Sequence, residues 1–142
     1  MTYKIALIGC GRIAQKHFEA IQSEKCLELI SVCDINVERA KATGKEYNVP
    51  HFTSLEKMVS SQEIDILSIC TPSGLHPQNG IIAAEHKIHV LTEKPMATRL
   101  NEADALIQAC DKNNVHLFVV KQNRLNTTMQ LLKRAIDKGR FG

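Results

Sequence analysis

At 142 residues, about 44% of them hydrophobic, the chain is long enough to bury one sizeable core and too short for a second full domain. Its apolar runs fall well below the roughly 20 residues of a membrane helix, and "MTYKIALIGCG" has neither the apolar centre nor the cleavage site of a signal peptide, so a soluble cytoplasmic protein is expected, with no membrane partner. The net charge of +3 is uneven: residues 121–142 carry six cations against Asp137 alone, a +5 tail that reads either as an anion-facing surface or as a solvated helix face.

The chain alternates short apolar runs with amphipathic stretches, which predicts parallel βαβ units. "YKIALIG" is the first strand, followed by a helix from about Arg12 to Ser23 with Ile13, Ala14, Phe18 and Ile21 at helical spacing. "LELISVCD" is the second strand. The next helix, "NVERAKATGKEYN", is weakened by Gly44, and "HFT" supplies a short third strand. Residues 54–62 predict a short helix capped by Ser54.

"IDILSIC" is the fourth strand, apolar enough to be covered on both faces, and the segment after it is a loop and a helix with Pro77 in the first turn. "IHVLT" is the fifth strand. Residues 99–113 form a helix that should bury Leu100, Ala103, Leu106, Ile107 and Cys110 on one face. "VHLFVV" is the sixth strand, and "NTTMQLLKRAIDKG" a last helix with a threonine N-cap and Gly139 as its stop. The fold class is therefore α/β, a Rossmann-like doubly wound parallel sheet in a single domain.

"GCGRIA" follows the first strand and opens the first helix, the setting that gives a G-x-G-x-x-A pattern its meaning. Gly9 allows the tight turn, Gly11 admits a pyrophosphate to the backbone, and the amides of Arg12 and Ile13 face the phosphates. A glycine turn of this kind also occurs without a ligand. Asp34, 23 residues after Gly11 at the end of the second strand, supplies the expected ribose-binding acid and doubles as a helix cap. It favours NAD over NADP, because Ile35 and Asn36 bring no cation to offset a 2′-phosphate.

Five scattered cysteines without a CxxC pair predict buried reduced thiols. The six histidines fall on different elements, and no metal site is predicted. No helix-turn-helix precedes the glycine loop, so no nucleic-acid partner is expected. A non-catalytic NAD(H)-sensing module would have only the basic tail in its support.

Five motifs in order, "ALIGCGRIA", "CDIN", "SICTPSGLHP", "EKPMA" and "VVKQNRLN", together resemble the Gfo/Idh/MocA oxidoreductase family over nearly the whole chain. The ending is most similar to the branch that oxidises the 3-hydroxyl of UDP-N-acetylglucosamine-type sugars or their uronates, in lipopolysaccharide and related surface-polysaccharide biosynthesis. Inositol or a free hexose is the alternative substrate. The resemblance implies NAD as cofactor, with Thr71, Pro72, His76, Glu93, Lys94 and Gln122 joining Gly9, Gly11, Arg12, Ile13, Asp34 and Ile35 around it. It also implies Lys94 as the catalytic residue and Lys94, Asn123 and Arg124 at the sugar. From "EKP" alone Lys94 reads as a surface lysine, and His76 without the family reads as a solvent-facing helix start. The expected division is an NAD-binding domain over residues 1–122 and a connecting helix over 123–142. The family's C-terminal α/β substrate domain is absent from the sequence, which implies an incomplete, inactive site in this chain; separately, a homo-oligomer is expected of the full-length protein.

Overall fold

The computed structural model describes residues 1–141, and Gly142 lies outside them. Six strands, β1 (Tyr3–Ile8), β2 (Leu27–Cys33), β3 (His51–Phe52), β4 (Ile66–Ile69), β5 (His89–Thr92) and β6 (Leu117–Val119), form one parallel sheet in the order β3-β2-β1-β4-β5-β6. Six helices connect and follow them: α1 (Ala14–Ser23), α2 (Val37–Tyr47), α3 (Leu55–Ser61), α4 (His76–Glu85), α5 (Leu100–Asn113) and α6 (Thr127–Asp137). Short 3-10 turns at Ser73–Leu75 and Gln122–Leu125 precede α4 and α6. The strand order reverses between β1 and β4, the crevice where ligands bind in such sheets.

Alternation along β1 divides the interior. Ala6 and Ile8 face a core with Met58 of α3, Ala83 and Ala84 of α4 and Leu106 of α5. Leu7 faces the other way, packing with Val32, Cys70, Ala14 and Phe18. Phe18 is 1% exposed and stacks on Tyr47 at 4.2 Å between ring centroids, so it joins α1 to α2. Burial of a side chain this size contributes about 1.5–3 kcal/mol.

Caps explain several boundaries. Asn36 accepts the Arg39 amide at the start of α2, and Asn48 ends that helix with φ 54. Ser54 caps α3 as expected. The cap of α6 is Asn126 rather than a threonine: its Oδ1 accepts from the Thr128 amide, and Thr127 is already helical. Gly44, expected to weaken α2, is what lets the helix close on β3, since a Cβ there would lie 2.8 Å from the His51 Cβ.

The face expected for α5 is narrower in the structure. Leu106 and Cys110 are buried and Ala103 partly so, but Leu100, in the first turn, is 79% and Ile107 40% exposed. The last helix, α6, packs chiefly against the 3-10 turn before it and leaves Met129, Leu131, Leu132 and Ile136 exposed. Among the described residues no helix is long and apolar enough to cross a membrane.

Candidate functional site

Register aligns the strand ends. Ile8 pairs with both Cys33 and Ile69, Ile69 with Thr92, and Thr92 with Val119. Gly9, Asp34, Thr71, Glu93, Lys94 and the Gln122–Leu125 turn therefore emerge along one edge.

The glycine turn is built for close approach. Gly9 has φ +90, and a Cβ there would lie 2.7 Å from the Cys70 carbonyl and the Thr71 nitrogen. A Cβ at Gly11 would meet nothing within 4 Å, so that stretch of backbone is open to an incoming pyrophosphate. Helix α1 starts without a side-chain cap or an acidic residue in its first turn; the Ala14 and Lys16 amides turn back to the Gly11 and Ile13 carbonyls, and those of Arg12 and Ile13 are left for an anion. Arg12 and Ile13 are exposed beside that start. These residues fit a dinucleotide's diphosphate.

Asp34 is 4% exposed and held at three points. Oδ2 accepts the Cys10 amide at 2.9 Å, Oδ1 the Asn36 amide at 2.8 Å, and Arg39 Nη1 stands 3.3 Å from Oδ2. Ile35, 87% exposed, projects next to it. Ile35 and Asn36 bring no cation, as the sequence shows, but the fold brings one from further along the chain, at Arg39. The Asn36 cap starts α2 with a turn that carries Arg39 back towards the strand end.

Two histidines support the far half of the edge. His76, far from facing solvent, is 1% exposed, with Nδ1 2.8 Å from the Pro95 carbonyl and Nε2 2.8 Å from that of Thr71. A neutral ring donates to one of these, and a doubly protonated ring donates to both. With both nitrogens engaged, His76 ties the loop after β4 to the loop after β5 and leaves no ring atom for a ligand. Asn79 adds a bond to the Thr71 hydroxyl at 3.1 Å, while Pro72 is exposed at the rim.

His17 was not singled out in the sequence as a site residue. Its Nε2 stands 3.1 Å from Glu93 Oε1 and its Nδ1 2.8 Å from Ser68 Oγ, all buried. A neutral ring protonated at Nε2 satisfies both contacts, donating to the carboxylate and accepting from the hydroxyl. The other Glu93 oxygen accepts the Lys94 amide at 3.0 Å. Glu93 is thus turned inward, bracing the backbone from which Lys94 projects. The signal for His17 was its spacing, three residues after Ala14 and four before Ile21, on the helix face that meets the sheet.

The Lys94 side chain is exposed and lines a cavity of about 330 Å³ with Val120, Gln122, Asn123 and Arg124. The peptide joining it to Pro95 is cis. Nearer the glycine turn, burial pushes the Cys10 thiol up to about 11 and those of Cys33 and Cys70 up to about 12, so none is a ready nucleophile. Among the described residues no three His, Cys, Asp or Glu side chains form a group that could hold a metal ion.

A doubly wound parallel sheet with an open glycine turn at the switch point and a buried acid at the end of the neighbouring strand defines a dinucleotide-binding domain of the Rossmann type. The sequence pattern of the oxidoreductase family with an NAD-binding Rossmann fold, Gfo/Idh/MocA, matches residues 3–121, and the chain belongs to that family. Its fold superposes with a TM-score of 0.96 on the WlbA dehydrogenase from Bordetella pertussis, solved in complex with NADH and UDP-GlcNAcA, at 45% identity over 100% of this chain and 44% of that one. The WlbA dehydrogenase of Chromobacterium violaceum, with the same two ligands, gives 0.95 at 47% identity over 99% and 41%. The D-apiose dehydrogenase of Paraburkholderia graminis is 29% identical over 99% of this chain and 38% of its own length. The chain thus spans well under half the length of these relatives.

Proposed function

We propose that this chain is the NAD-binding part of a longer dehydrogenase that oxidises the 3-hydroxyl of a UDP-N-acetylhexosamine or its uronate. The observation that carries the reading is the exposed Lys94 at the end of β5, braced through its own amide by Glu93 and sharing a cavity with Gln122, Asn123 and Arg124. Bound NAD⁺ supplies the hydride acceptor. Gly9, Gly11, Arg12 and Ile13 hold its diphosphate, Asp34 with Ile35 takes the adenosine, and Thr71, Pro72 and Gln122 border the route to Lys94. Glu93 and His76 set the loops. The Lys94 amine then takes or relays the proton that leaves the sugar hydroxyl, and the Arg124 fork pairs with a carboxylate or diphosphate, with Asn123 beside it.

Similarity to two dehydrogenases solved with NADH and UDP-GlcNAcA, at 45% and 47% identity, supports the nucleotide sugar over inositol or a free hexose. The exposed apolar residues of α6 support the longer protein: in this reading the additional length that the relatives carry packs over them.

The test is NADH formation by the enzyme from the whole reading frame, offered the UDP-sugar uronate, inositol or glucose 6-phosphate. Turnover is expected with the uronate and should fall about a hundredfold or more in Lys94→Met. Preference for inositol or the hexose phosphate would overturn the substrate, and undiminished turnover in the variant would overturn the role of Lys94.

A further inference from the structure

An ionised carboxylate offers about four acceptor positions, two on each oxygen. At Asp34 three are filled: Oδ2 by the Cys10 amide and Arg39 Nη1, Oδ1 by the Asn36 amide. One position is left, yet a ribose diol held in the manner of NAD needs two. Two of the three donors belong to backbone that cannot withdraw, since the Cys10 amide sits within the glycine turn and the Asn36 amide at the cap of α2. The third comes from a side chain that is 51% exposed and makes the longest of the contacts, at 3.3 Å. Arg39 is therefore the donor that gives way.

Displacement does not carry it far. Arg39 is rooted in the first turn of α2, five residues past Asp34, so a guanidinium that leaves Oδ2 remains tethered near the carboxylate that would hold the ribose. A phosphate on the 2′-oxygen would be repelled by Asp34 and drawn to that cation, whose planar fork suits phosphate oxygens. Ile35, Asn36 and Val37 offer no such charge, and Glu38 is acidic.

We propose that Arg39 is a cofactor-selecting residue that admits the 2′-phosphorylated dinucleotide, NADP, to a site whose Asp34 favours NAD. The proposal rests on the reading of this edge as a dinucleotide site. It assigns opposite preferences to two residues already in contact.

The test is equilibrium titration of the 142-residue chain with NADH and with NADPH. Wild type should bind both, NADH more tightly. Arg39→Ala should raise the ratio of the NADPH to the NADH dissociation constant about fivefold or more, and Arg39→Lys, which keeps the charge, should raise it by less than Arg39→Ala does. Asp34→Asn should lower the ratio, with circular dichroism confirming that each variant is folded. A wild-type chain that binds NADH and not NADPH, or an Arg39→Ala ratio raised less than fivefold, overturns the role of Arg39 while the dinucleotide site stands. Failure of the folded wild type to bind either compound overturns the site and the proposal together.

Discussion

His17 Nε2 stands 3.1 Å from Glu93 Oε1, and both side chains are about nine-tenths buried. This contact joins the first helix to the loop after the fifth strand across 76 residues of sequence. Replacing His17 by alanine leaves a buried carboxylate short of a partner, which costs about 1–3 kcal/mol. The urea unfolding midpoint of His17→Ala should fall accordingly, and His17→Gln, which restores a donor, should recover part of the loss. Equal midpoints for wild type and His17→Ala would show that the contact contributes nothing.

The two glycines of the first turn separate folding from binding. Alanine at Gly9 combines a positive φ with a Cβ 2.7 Å from the backbone of Cys70 and Thr71, neither of which can swing aside, so a loss of roughly 3 kcal/mol or more is expected. Gly11→Ala meets no atom of the protein within 4 Å and should unfold at a midpoint close to wild type. Thermal or urea unfolding of the pair checks this, and a Gly9→Ala chain as stable as Gly11→Ala would contradict the geometry of the turn.

Thiol reactivity follows burial. With Cys10 pushed up to about 11 and Cys33 and Cys70 up to about 12, the thiolate fraction at pH 8 is about one in a thousand or less. Cys110 is shifted in the same direction by burial, while Cys26 is exposed. A chromogenic disulfide reagent at pH 8 should therefore titrate one thiol quickly in the native chain and all five in guanidinium. Two or more fast native thiols would mean that the core around the glycine turn opens readily. Raising the pH should speed the slow thiols, since each additional unit below their pKa raises the thiolate fraction about tenfold.

The parts of this fold that were legible in the sequence are those written locally. Strand ends, the Gly9 turn and Asp34 depend on a few neighbouring residues and on hydrophobic period, so they could be placed before the topology was known. The contacts that brace the edge were not legible. His17 with Glu93 and His76 with Pro95 pair residues 76 and 19 positions apart, which only the order of the strands brings together. Arg39 and Asp34 are just five residues apart, but their contact depends on how the Asn36 cap starts α2, a detail of backbone angle that composition does not carry. Leu100 misled in the opposite way: its spacing suits the buried face of α5, yet in the first turn it stays 79% exposed.

The most direct test of the central claim is titration of the 142-residue chain with NADH, followed by fluorescence, beside a Gly11→Val variant. A Cβ at that position meets no atom of the protein within 4 Å, so the added side chain starts in the open space above the turn. The account predicts saturable one-to-one binding by the wild type, and binding weakened at least tenfold in a variant of unchanged circular dichroism. No saturable binding by the folded wild type, or equal affinity in Gly11→Val, would contradict it.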